Sequence, residues 1–282
     1  MKATYFCVAA CLAFTLAGAP MALQAGSGAQ RGEKFRLSCT LPFDKIKEAR
    51  DIDDQCPQGG DAPSGPHQDQ NMVKNNFCAT GKTVPITYST FLKLQKAAED
   101  NEIPFGSSNS LPPDRSVLHG LVATPKGKVG EGTVVSFVAF VIRAKYSNLS
   151  KGESNNCKTG GKQFNDIHVE LGKIADDDAC NSLTAEISPH FRPETWADFD
   201  QYDRSHPVRI TGQLFFDGSH APCRNGKRPN PQRASIWEIH PVYAIDVCKN
   251  KSLAGCLTTN KSVWIPFDQW ATVDDEEAGG NR

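Results

Sequence analysis

Two pairs of ionisable side chains stand out for the chemistry they could do. They are Asp166 with His168 in NDIHVELGKI, and Glu238 with His240 in SIWEIHPVYAIDVC. Members of each pair are two residues apart, so on a strand both point to one face. Imidazole nitrogen and carboxylate oxygen are suitable ligands for zinc or another divalent ion. Asp166, His168, Glu238 and His240 are therefore the candidate polar cluster and the candidate metal ligands. His190 in SPHFRP and His220 in DGSHAP lie in nearby loops, with Asp217 three residues before His220. A metal held there would lower the pKa of bound water and support hydrolysis of an ester or phosphodiester. No H-E-x-x-H motif is present, and no cofactor beyond such a divalent metal is implied. The competing reading is structural: each histidine bonds a carboxylate or carbonyl and fastens a loop to the scaffold.

A nucleophilic site would use Ser154 in GESNNC or Ser235, but there is no G-x-S-x-G elbow. Cys157 would serve as a nucleophile only as a free thiol. A binding role draws on other residues. Trp196, Phe199, Tyr202, Phe215 and Trp237 could stack on sugars or bases. Arg192, Arg204, Arg209, Arg224, Lys227, Arg228 and Arg233 could contact anions. The stretch CRNGKRPNPQR is the most basic piece of the chain. Candidate ligand-binding residues are His190, Arg192, His220, Arg233 and Trp237, although Trp237 also suits a packed core.

Strands must position these groups. GTVVSFVAFVIRAKY, residues 132–146, is a long β-branched and apolar run. Along 166–171, Ile167, Val169 and Leu171 alternate with Asp166, His168 and Glu170. AEISPHFRP, 185–193, is a short third strand broken by Pro189. VRITGQLFFD, 208–217, alternates as a fourth, and 235–248 is the fifth. Five strands with a long first one is the element order of an OB-fold barrel. A β-sandwich is the alternative. The usual OB order separates the second strand from the fifth, so the two polar pairs would meet only where a loop or barrel end brought them together.

The pieces ESNNC, NDIH, VRITGQLFFD and SIWEIHPV resemble those of exported bacterial proteins of uncharacterised function with an OB-fold-like domain. That resemblance implies the architecture of residues 121–248 and carries no activity with it.

Ahead of this domain, 26–120 reads as a loop-rich segment with one short helix capped by Ser89 or Thr90 and stopped at Pro104. Residues 26 to about 70 read as irregular. Asp51, Asp53, Asp54 and Asp61 there lack the order of an EF-hand loop and suit a solvated acidic loop better than calcium. Residues 249–282 form a tail. Residues 1–25 have the charged start, apolar core and small-residue end of a secretory signal peptide. No later run is long and apolar enough to cross a bilayer. Export agrees with the cysteines: Cys39, Cys56, Cys78, Cys157, Cys180, Cys223, Cys248 and Cys256 lack zinc-type C-x2-4-C spacing and suit disulfides. The expected location is secreted or periplasmic. With a formal net charge of -1 there is no global basic field, which disfavours nucleic acid as the natural ligand. The sequence leads to a binding or interaction module for an oligosaccharide, another anionic polymer or an envelope partner. A metal-dependent hydrolase is the first alternative and a structural envelope protein the second.

Overall fold

The computed structural model describes residues 51–258 and 260–270. The signal-peptide reading, Cys39 and the far end of the tail fall outside the described residues. In chain order the strands are β1 (Val84–Ile86), β2 (Val122–Thr124), β3 (Gly127–Val129), β4 (Val134–Tyr146), β5 (Ile167–Gly172), β6 (Leu183–Ile187), β7 (Val208–Phe216), β8 (Trp237–Cys248) and β9 (Trp264–Pro266). The two longer helices are α1 (Pro66–Lys74) and α2 (Tyr88–Asp100).

The path β4–β5–β6–β8–β7 closes back onto β4. Closure makes a mixed five-stranded barrel with the strand order of an OB fold and excludes the sandwich. The pairing of β6 with β8 is parallel, and the other barrel pairings are antiparallel. Outside the barrel, β1 adds to β4 in parallel and β9 adds to β8. The third strand ends at Ile187, before Pro189, which has no N–H to give the ladder.

Alternation decides which side chains fill the barrel. Ile167, Val169 and Leu171 of β5 face inward with Leu183, Ala185 and Ile187 of β6 and Trp237 and Ile239 of β8, all buried. Burying a large apolar side chain of this kind contributes about 1.5–3 kcal/mol. Helix α2 packs Phe91, Leu94 and Ala98 against the core, with Phe91 edge-on to Phe137 at 5.3 Å. Its cap is Thr87 rather than Ser89 or Thr90, because the Thr87 backbone N–H donates to Thr90 Oγ1 at 3.2 Å. An aspartate caps the turn before β2. Asp114 accepts from Ser116 N, while the buried Arg115 reaches across to Glu131.

The larger correction lies in the segment before α2, where residues 66–74 are helical rather than irregular. PHQDQNMVK has no apolar stripe, yet α1 buries Gln70, Asn71, Val73 and Lys74. Hydrogen bonds dock it instead. Gln70 donates to Ser219 Oγ at 2.8 Å, Asn71 to Ser154 Oγ at 2.9 Å, and Asn76 to Gln213 Oε1 at 2.6 Å. Gln213 in turn donates to the Val73 carbonyl at 2.9 Å. Just upstream, Gly60 has φ 62° and lies so close to Ser154 that a Cβ would collide with its carbonyl oxygen. The Cys56–Cys157 disulfide fixes the same contact covalently. Cys180–Cys223 and Cys248–Cys256 are bonded as well, and Cys78 is also in a disulfide. Among the described residues, no helix is long and apolar enough to cross a membrane.

Candidate functional site

The polar ranks of β5, β6 and β8 lie on the outside of the barrel, and the chain's own α1 segment covers them. Register explains how they meet. His168 pairs with Glu186 across β5 and β6, and Thr184 pairs with Glu238 across β6 and β8. Continuing that parallel register by two residues sets Glu186 beside His240. The strand between the second and the fifth thus supplies the bridging carboxylate, and no barrel end is needed.

His168 is clamped by two acids. Its Nε2 lies 2.9 Å from Glu153 Oε1, in the β4–β5 loop, and its Nδ1 lies 3.5 Å from Glu186 Oε1. On the other side of Glu186, Oε2 lies 3.4 Å from Lys74 Nζ and 2.7 Å from His240 Nδ1. The last contact is a close ion-pair contact, and neither ring nitrogen of His240 makes a well-aligned hydrogen bond among the described residues. The other nitrogen, Nε2, faces Asp166 Oδ2 at 3.9 Å. Asp166, immediately before β5, accepts from the Asn155 and Asn156 amides at 3.1 and 3.2 Å. Glu238 binds Arg233 through Oε1, and its Oε2 is unpartnered among the described residues. Arg233 also reaches Asp217 at 3.2 Å, which is bonded to His220.

Burial and neighbouring charge set the protonation states. Burial disfavours the Glu186 carboxylate, but His168, Lys74 and His240 outweigh it and hold its pKa well below the usual range. Glu153 likewise falls to about 2, burial being overcome by the His168 charge and hydrogen bond. Burial opposes the His168 cation, yet Glu186 and Glu153 raise it to about 10. Glu238 goes the other way, with burial and then Glu186 pushing it well above the carboxylate range. Burial and Glu153 raise Asp166 in the same sense.

The four candidate residues Asp166, His168, Glu238 and His240 therefore do converge. Glu186, Glu153 and Lys74 complete the group without having been foreseen. Glu186 had a readable signal, since Thr184 and Glu186 alternate with Leu183, Ala185 and Ile187. Glu153 and Lys74 had none, because a loop and a polar helix bring them in. The inner groups are closed to a substrate: Glu238 and His240 are 0% exposed, and the group meets solvent only at its edge, through His168, whose side chain is 17% exposed, and to a lesser degree Lys74 and Glu153.

The candidate ligand-binding residues mostly serve the fold, which corrects the expectation that they face a ligand. His190 is buried with Nδ1 2.6 Å from Asp53 Oδ1. Arg192 donates to the carbonyls of Asn165 and Lys162, each at 3.1 Å. Arg233 is buried in the ion network and Trp237 in the core. His220 alone of the five has a substantially exposed side chain, at 38%. Trp196, Phe199, Tyr202 and Phe215 are buried too and offer no stacking platform. Neither serine is set up as a nucleophile. Ser154 donates to Asp61 at 2.6 Å, and Ser235 is buried against Phe91 and Gln95. In the acidic loop, Asp53 contacts His190, and Asp61 pairs with Lys158 at 2.6 Å besides accepting from Ser154.

One basic element does face solvent. The β7–β8 loop turns through Asn225 and Gly226, with φ 51° and 76°, and Arg224 and Lys227 exchange backbone hydrogen bonds across it at 3.2 and 2.9 Å. Two successive positive φ values suit an Asn-Gly tight turn. Arg224 contacts Glu99, and Arg228 pairs with Asp178 at 2.8 Å; both arginine side chains are half exposed. Cys180–Cys223 anchors the base of the loop. Comparison of the chain with protein-family models, curated proteins and solved structures finds no match, so the functional reading rests on this geometry.

Proposed function

We propose that the protein is an exported binding module that takes an anionic polymer, such as a sulfated or uronate-rich glycan, on its β7–β8 hairpin. The observation that carries this reading is the division of the barrel surface. OB barrels hold oligosaccharides and nucleic-acid strands on the face of their second and third barrel strands, between flanking loops. Here the equivalent face, β5 and β6, lies beneath the chain's own α1, while the neighbouring loop presents Arg224, Lys227 and Arg228 on a stapled turn. Their ion pairs with Glu99 and Asp178 are partly exposed and of the weak surface kind, which an incoming polyanion can exchange. Three disulfides support an oxidising compartment. Burial of Glu238 and His240 speaks against hydrolysis at that cluster.

Retention on a heparin-type column tests the reading. The protein should bind at low salt, elute as screening sets in, and lose retention in an Arg224→Ser/Lys227→Ser/Arg228→Ser variant that melts like the wild type. No retention at low salt, or unchanged retention of that variant, overturns it.

A further inference from the structure

We infer that Glu186, Glu238 and His240 form an inner site for one divalent cation of the zinc type, with Asp166 orienting the histidine. This stands apart from the proposed glycan binding.

Three observations carry the assignment. First, one ligand atom from each of Glu186, Glu238 and His240 falls within 4.8 Å of the others, on adjacent strands β6 and β8. His240 Nδ1 lies 2.7 Å from Glu186 Oε2 and 4.0 Å from Glu238 Oε2. These values bracket the roughly 3.0–3.4 Å between neighbouring ligands when metal bonds are about 2.0–2.1 Å. Second, the group is incompletely bonded. Glu238 Oε2 is buried without a hydrogen bond among the described residues, and His240 Nδ1, 4.0 Å from it, meets only the Glu186 carboxylate, a costly arrangement for a buried carboxyl oxygen that an ion would relieve. Third, Asp166 stands behind His240 on the Nε2 side, itself oriented by two asparagine amides. A carboxylate accepting from the far nitrogen is the usual partner of a metal-bound imidazole.

A rival grouping of Glu153, Asp166, His168 and Glu186 is also close enough to consider. It is less suitable because its atoms already have partners: His168 Nε2 is on Glu153, and Asp166 is held by both amides.

Because the site is sealed, the test loads it during folding. The oxidised protein, unfolded in urea with its disulfides intact, is refolded with zinc or with chelator, desalted and analysed for metal. About one zinc per chain is expected, with a melting temperature that rises with free zinc. Zinc-edge X-ray absorption of the wild type should show oxygen ligands and a single imidazole, with no sulfur. His240→Gln and Glu238→Gln should lose the zinc, while His168→Gln and His220→Gln retain it. A folded wild type that takes up no zinc overturns the inference. So does a spectrum with sulfur or two imidazoles, or zinc retained in His240→Gln. If His240→Gln does not fold, the wild-type stoichiometry and spectrum decide the matter.

Discussion

Lys74 Nζ, in the last turn of α1, lies 3.4 Å from Glu186 Oε2 on β6, and both groups are buried although 112 residues separate them in the chain. A buried ammonium is tolerated only with an opposite charge at hand. Burial works against the Lys74 cation, but Glu186 and then Asp217 keep its pKa well above the ordinary value. Its ammonium also lies over the Phe215 ring, with Nζ 5.5 Å from the centroid. The contact joins the α1 segment to the covered face of the barrel.

Lys74→Met should therefore destabilise the protein by about 3–5 kcal/mol, since it leaves Glu186 buried with a partner removed. In a double-mutant cycle with Glu186→Gln, urea unfolding should give a coupling of about 1–3 kcal/mol. Additive effects would show that the pair does not tie helix to barrel.

The Glu153–His168 pair should leave its mark on the pH dependence of stability. Glu153 falls to about 2 in the folded state, against about 4.3 when unfolded. A depressed carboxyl stabilises above its unfolded value, and that stability is lost as pH falls through about 2. His168 is raised to about 10, so its contribution is complete below about 6.5 and disappears as pH rises through the folded value. The stability difference between wild type and Glu153→Gln should be greatest near pH 4.5–6.5, on the order of 2–3 kcal/mol, and shrink on both sides. Urea melts across the range measure it. A difference independent of pH would mean the pair is not ionised as described.

Much of the architecture was legible because strands announce themselves by alternation. Ile167, Val169 and Leu171 against His168 and Glu170 fix a strand and its two faces whatever surrounds it. The third strand was harder, being only five residues long, and with it went Glu186, the group that joins the two polar pairs. Helix α1 was not legible. Its burial rests on amide and ammonium contacts from Gln70, Asn71 and Lys74 to residues far along the chain, and such contacts leave no periodic apolar trace. Glu238 and His240 share the outward, polar face of β8, and the covering segment buries it.

Cys56–Cys157 closes a separation of 101 residues and holds the N-terminal segment on the β4–β5 loop beside Glu153 and Asn155. A Cys56→Ser/Cys157→Ser variant should lose about 2–5 kcal/mol, mainly because the unfolded chain regains freedom. Limited proteolysis should then cut first near residues 51–65, ahead of any cut in the barrel. If the barrel strands are cut as early as this segment, the bond stabilises the whole domain rather than the docking of its cover.

Arg115 and Glu131 form another buried ion pair, distinct because it also completes a strand end. Arg115 Nε donates to Glu131 Oε1 at 2.8 Å, and Nη2 bonds Oε2. The same guanidinium donates to the Phe216 carbonyl at 2.7 Å, and Glu131 Oε2 accepts from Phe216 N–H at 3.0 Å. The pair thus satisfies both backbone groups of the last residue of β7. Glu131→Gln should cost about 3–5 kcal/mol by leaving a buried arginine without its counter-charge. An apolar double replacement, Arg115→Met/Glu131→Leu, often restores stability when a pair has no other task. Here it should recover only part, because the buried Phe216 N–H would lose its acceptor at about 1–3 kcal/mol, whereas its carbonyl keeps Gly218 N–H at 3.1 Å. Denaturant unfolding of the three proteins separates the two outcomes. Full recovery in the double variant would mean that the pair contributes nothing to closing the end of β7.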